Sequence, residues 1–166
     1  MIPWQERNLE DRLTIAPCSN ADGTHKLPLF VIGKSKKPRE FKNINLSSLP
    51  VYYHNQKSAW MDCNLFKSWF IDEFVPSVKK DLNQKKLNVR AVLLFDKAPS
   101  HPSEEELVKG DIKAILLPPN VTSLIQPMDQ RVIEWLKRRY SRKYINSILE
   151  KSEEGFNIFE SMKSSK

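Results

Sequence analysis

Two aspartates stand where their surroundings could put a carboxylate to work. Asp96 closes the segment Leu93-Leu94-Phe95-Asp96-Lys97-Ala98-Pro99-Ser100-His101, and Asp129 opens the last strongly periodic stretch, after Gln126-Pro127-Met128. A carboxylate at the carboxyl end of a buried parallel strand lies where open α/β sheets hold their ligands. Asp129 falls in the first turn of a predicted helix and shares a face with Ile133, Leu136 and Tyr140 at spacings of 4, 3 and 4. That phase would turn it toward a sheet rather than toward water. Each has a plainer alternative: Asp96 as a strand-end turn former, Asp129 as a charge favoured by the helix dipole. Other chemistries lack their residues. The four glycines are too scattered for a phosphate-binding loop, and no serine or cysteine nucleophile arrangement is present. His25, His54 and His101 have no metal-ligand spacing with Cys18 and Cys63, so a zinc site is not expected.

The elements that must position these acids follow from periodicity. Arg12 to Ser19 reads as a strand with Pro17 at an edge or bulge, Asn20 to Thr24 as a hairpin turn, and Leu27 to Gly33 as the returning strand. Val51 to His54 is a third short strand. Asp62 can cap a helix whose apolar stripe is Met61, Leu65, Phe66, Trp69, Phe70, Phe74 and Val78, and Pro76 should kink or end it. The polar stretch from Asp81 to Asn88 is a linker or helix end. Val89 to Asp96 has a continuous apolar run, which suits a strand covered on both faces. Ser103 and Glu106 are spaced as a capping box, Ile112 to Leu117 is a further strand, and a long helix runs from about Met128 to Leu149. Its apolar residues Met128, Val132, Leu136, Tyr140, Tyr144 and Ile148 recur every four positions. A hairpin followed by strand, helix, strand and helix makes an α/β or α+β layered domain.

The chain has 166 residues, 40% of them hydrophobic, enough for one core. No apolar run approaches the ~18 residues of a membrane helix. Residues 1–11 form a polar lead-in without the apolar core of a secretory signal, and 150–166 a mixed, flexible tail. Two cysteines fit a reducing, intracellular compartment. Lys and Arg total 27 against 20 Asp and Glu, a net charge of +7, which points to a polyanionic partner, nucleic acid before membrane. The cations cluster: Lys34, Lys36, Lys37 and Arg39 in one loop, and Arg131, Lys137, Arg138, Arg139, Arg142 and Lys143 along the last helix, against Glu134. These ten could track a phosphate backbone, giving affinity without sequence reading. The solvated helix face is the alternative. Lys34–Arg39 and Arg138–Lys143 also fit nuclear localisation patches.

Several stretches in fixed order resemble the DDE superfamily endonuclease domain of pogo-class DNA transposases, which includes the Tigger elements and their domesticated relatives, the jerky proteins and centromere protein B. They are Asp11 to Thr14, Cys18 to Pro28, Val31 to Arg39, Ala59-Trp60-Met61, Asp96 to His101, Leu117 to Asn120 and on through Asp129-Gln130. The resemblance covers about residues 11–141. It implies a ribonuclease-H-like mixed sheet with flanking helices over 12–149, a nuclear location and DNA as partner. It also implies that Asp96 and Asp129, with 32 residues between them, match the second and third metal-binding acids. In such sites two Mg²⁺ or Mn²⁺ ions clamp the attacking and leaving oxygens of a phosphodiester.

The chain departs from that pattern at the first acid, which the family carries on a central strand ahead of the segment matching Arg12. Residues 1–11 hold Glu6, Glu10 and Asp11 but no hydrophobic strand ending in an acid. The expected sheet therefore lacks its first central strand, leaving open edges that a dimer or a completing partner chain would cover. Lys97 stands where the family commonly has Asn, and Arg131 where it has Gly. A unit-charge pair at about 6 Å is worth roughly 3 kcal/mol at an effective dielectric constant near 20, so each cation opposes metal or pairs with its aspartate. The expectation is a DNA-binding domain that has lost cleavage, with Asp96 and Asp129 as relict metal acids and Mg²⁺ or Mn²⁺ bound weakly if at all. The alternatives are an active divalent-metal-dependent endonuclease or strand transferase, and a protein-interaction fragment.

Overall fold

The computed structural model describes residues 13–38, 41–118, 126 and 128–153, excepting the side chains of Ser47, Asp129, Gln130 and residues 151–153. The chain divides into two compact units, at Gln126 and Pro127.

The first unit opens with a three-stranded sheet. Strand β1 (Thr14–Ala16) pairs antiparallel with β2 (Leu29–Gly33), which pairs parallel with β3 (Val51–Asn55). β1 is shorter than the expected Arg12–Ser19, because Pro17 has no N–H to give the ladder. The hairpin resumes with a bridge between Ser19 and Lys26. Its turn holds Gly23 at φ +72°, and the Asp22 carboxylate accepts from the Thr24 amide at 2.9 Å and the Thr24 hydroxyl at 2.7 Å. Those bonds hold the exposed Asp22 carboxyl below its usual range, so this acid serves the turn.

Helix α1 (Cys63–Trp69) starts at Asp62, whose carboxylate accepts from the Leu65 amide at 2.9 Å, as the sequence predicts. Pro76 does not end the helical run, which continues to Gln84. A π-turn, Phe70–Phe74, precedes α2 (Val75–Gln84) and places Pro76 in the first turn of α2. Through the π-turn the Val75 amide reaches back five residues to the Phe70 carbonyl, so the ladder is already widened where the Pro76 N–H is missing. The stretch from Asp81 is helix end rather than linker. Lys86 takes φ +56°, and the Lys86 and Leu87 amides close on the Asn83 and Leu82 carbonyls in a Schellman stop.

The second sheet has β4 (Ala91–Phe95) parallel to β6 (Ile112–Leu116), which pairs antiparallel with β5 (Val108–Lys109). The Ser103 amide donates to the Glu106 carboxylate at 3.0 Å at the start of a 3₁₀ turn over Glu104–Glu106. The periodicity predicts neither β5 nor the tight turn at Gly110, which takes φ +66°. The expectation that β4 is covered on both faces is corrected: Val92 is 47% and Leu94 51% exposed. The Ala91 amide and Phe95 carbonyl engage the β6 side, so the backbone groups of Val92 and Leu94 face away from the ladder. Phe30 and Ile32 of β2, Phe66, Trp69, Phe70 and Phe74 of the helical run, and Phe95, Ile112 and Ala114 of the second sheet form one core. Phe66 joins the halves, with ring centroids 5.8 Å from Trp69 and 5.1 Å from Phe95.

The second unit carries a π-turn, Met128–Val132, and helix α3 (Ile133–Glu153). The four-residue apolar stripe is not a buried one: Val132, Tyr140 and Tyr144 are exposed, Tyr140 by 66%. The extra residue in the π-turn moves positions 128–132 out of phase with the helix that follows. Helical structure runs past Leu149 into the segment expected to be tail.

Candidate functional site

Asp96 follows β4 directly, at the carboxyl end of a parallel strand, where the sequence places it. His101 holds this strand end. Its Nδ1 donates to the Asp96 carbonyl at 2.9 Å and lies 3.8 Å from the Asp96 carboxylate. The imidazole packs 5.1 Å from Phe66 and 5.7 Å from Phe95, which fixes the loop Lys97–Pro102 against the core. No ion pair joins Lys97 to Asp96 among the described residues, so the ionisable neighbour of Asp96 is His101 rather than the predicted lysine. The Glu104 carboxylate is also spoken for, accepting from the Leu116 amide at 2.7 Å. Among the described residues no three carboxylate, imidazole or thiol groups gather as a metal site. The Asp129 side chain, and with it any pairing to Arg131, lies outside the described residues, as do Glu6, Glu10 and Asp11. The donors in view therefore do not by themselves compose the two-ion clamp.

The cations fall into two groups, one in each unit. Lys34, Lys36 and Lys37 are exposed on the loop leaving β2, and Arg39 lies outside the described residues. The loop is pinned from below. The Tyr53 hydroxyl donates to the Ser35 carbonyl at 2.6 Å, and Phe41 meets the Tyr53 ring edge-on at 5.2 Å. Gly33 permits this, because a Cβ there would clash with the Tyr53 hydroxyl.

Along α3, Lys137, Arg138, Arg139, Arg142 and Lys143 are all exposed. Arg138 pairs with Glu134 at 3.0 Å, and the Arg139 guanidinium lies 4.7 Å over the Trp135 ring. Trp135, 57% exposed, escaped the sequence reading because it stands off the four-residue stripe. Arg131 is exposed and takes φ +70° inside the π-turn, a left-handed conformation that glycine adopts freely and arginine does not. Burial pushes the Cys18 thiol up to about 11, which disfavours the thiolate that a nucleophile or ligand needs.

The sequence matches the family described as DDE superfamily endonuclease over residues 10–164. The chain belongs to the DDE superfamily. Tigger transposable element-derived protein 7 of Homo sapiens is 44% identical over 154 residues, covering 89% of this chain and 28% of that protein. The Jerky protein homolog of Homo sapiens is 43% identical over 139 residues, or 82% of this chain and 24% of that protein. Tigger transposable element-derived protein 4 of Mus musculus is 34% identical over 159 residues. The DDE chain thus spans about a quarter of the length of these relatives. No solved structure matches it. A mixed α/β unit with two small three-stranded sheets is consistent with a DDE nuclease-like domain. Among the described residues no helix is long and apolar enough to cross a membrane.

Proposed function

We propose that this chain is a transposase-derived, ribonuclease-H-like domain of the nucleus that holds DNA through backbone phosphates and does not cut it. One observation carries the reading: α3 presents Lys137, Arg138, Arg139, Arg142 and Lys143 to solvent within seven residues, with Glu134 as the acid nearest in sequence before them. A surface of that sign releases counterions when it meets a polyphosphate. The first unit carries its own exposed lysines, 34, 36 and 37, and membership of the DDE family, with relatives named as transposable element-derived, supports DNA over other polyanions. Asp96 and Asp129 are read as relict acids, because Lys97 and Arg131 add positive charge next to them in sequence and no three metal-ligating groups gather among the described residues. Among the described residues no strand pairs with the outer edge of β4, which supports completion of the sheet by a strand from a dimer mate or another partner.

The test is fluorescence anisotropy with a short labelled duplex over a salt series. A slope of log affinity against log salt near −0.9 per phosphate contact is expected, about −4.5 to −5.4 for five or six contacts. A flat slope removes the reading. The family description favours one second reading, a metal-dependent endonuclease. A supercoiled-plasmid nicking assay with Mg²⁺ or Mn²⁺, with Asp96→Ala and Asp129→Ala as controls, decides between them.

A further inference from the structure

We propose that Ser141 is a phosphoacceptor for a basophilic serine/threonine kinase, and that its phosphorylation releases the nucleic acid held by α3. The second half rests on the DNA-binding reading above; the first does not. The sequence around it is Lys137-Arg138-Arg139-Tyr140-Ser141-Arg142-Lys143, and Ser141 alone among the serines and threonines of the chain has arginine at both the −3 and −2 positions. Kinases that discriminate by charge pattern recognise such arginines with acidic pockets.

The structure makes the hydroxyl reachable. Ser141 is exposed, and so is every residue from Lys137 to Asn146. A kinase cleft takes its substrate extended, so the helix must open locally. In a stretch with no buried side chain, opening forfeits helix hydrogen bonds and the Arg139–Trp135 and Tyr140–Tyr144 contacts but no core packing. In the transfer, the Ser141 Oγ attacks the γ-phosphorus of ATP. The Oγ–P bond forms as the bond to the bridging oxygen of ADP breaks, and the hydroxyl proton leaves to the kinase's base.

The consequence is electrostatic and local. Ser141 lines a recess of about 480 Å³ along one face of α3 together with Glu134, Lys137, Arg138 and Arg142. A phosphate on Ser141 carries about −1.5 to −2 charges and three acceptor oxygens. Lys137 and Arg138 lie four and three residues back, the separations at which helical side chains meet. Arg138, already drawn to Glu134 at 3.0 Å, would exchange a single carboxylate for a doubly charged partner. Two cations engaged within the helix are two fewer for the DNA backbone. With affinity scaling as salt to the power −0.9 per contact, losing two contacts at about 0.15 M salt weakens binding about 30-fold.

The full chain is treated with a basophilic kinase and ATP, mapped by mass spectrometry, and returned to the anisotropy salt series. The expected result is incorporation at Ser141 that Ser141→Ala abolishes, a roughly 30-fold weaker complex and a salt slope shallower by about two. Ser141→Ala, unmodified, keeps the original affinity. Incorporation that survives Ser141→Ala, or a phosphorylated chain that binds as before, overturns the proposal. If the unmodified chain shows no salt-dependent binding, the DNA reading and the release fall together, while the mass spectrum still decides whether Ser141 accepts phosphate.

Discussion

Replacing Arg131 by glycine should make the second unit more stable although it deletes a side chain. Arg131 sits at φ +70° in the π-turn that leads into α3. For an L-residue the left-handed region costs roughly 1–2 kcal/mol, because Cβ crowds the following carbonyl oxygen. Glycine removes that cost and introduces another, about 0.5–1 kcal/mol from the larger conformational freedom of the unfolded chain. The exposed side chain itself should change stability by no more than about 0.5 kcal/mol. The net expectation is a gain of about 0.5–1 kcal/mol. Urea unfolding followed by far-ultraviolet circular dichroism measures it, with hydrogen exchange at the head of α3 locating the gain. Arg131→Ala is the decisive control, since it discards the charge and keeps the strained backbone, and it should give no gain. An alanine variant as stable as the glycine one would show that repulsion among cations, not backbone geometry, sets the cost. Both variants should lose one unit of salt slope in DNA binding, because both lack the guanidinium.

Other perturbations probe the remaining arguments. Gly33→Ala should destabilise the first unit by about 1–3 kcal/mol through overpacking against Tyr53, and adding Tyr53→Phe should restore most of it in thermal melts. Phe70→Ala, at a fully buried ring stacked 5.4 Å from Phe74, should cost about 3–5 kcal/mol by denaturant titration. Cys18 has its folded pKa raised from 9.0 to about 11, so its contribution is intact below pH 9. As pH climbs between those values the unfolded chain sheds the proton first, and stability should fall by about 1.4 kcal/mol per unit. Unfolding titrations of wild type and Cys18→Ala across that range test this; parallel pH profiles would refute it.

Much of the first unit was legible in the sequence because local chemistry decided it. Asp62 names its own helix start, Gly23 its turn, and the apolar runs their strands. Where tertiary surroundings decided, periodicity misled. Pro76 predicts a kink or an end, yet the helical run continues to Gln84 after a π-turn, and nothing in the residues 70–74 announces the extra residue. The continuous apolar run of β4 reads as doubly covered, but burial depends on what packs against a strand, and Val92 and Leu94 are open. The acids show the same division. The position of Asp96 after its strand follows from pattern alone, whereas its partner, His101 rather than Lys97, depends on a loop folding back onto Phe66 and Phe95. The left-handed backbone at Arg131 left one trace in the sequence, an arginine where the resembled family has glycine.

Among the described residues no strand pairs with the outer margin of β4, and that has a practical consequence for anyone handling this chain. Five apolar residues with no proline, lysine or glycine among them make a ribbon ready to zip onto any extended neighbour, and concentrated solutions will cloud by that route. A lysine placed at Val92 would act as a gatekeeper, keeping the preparation clear without touching the buried side of the strand.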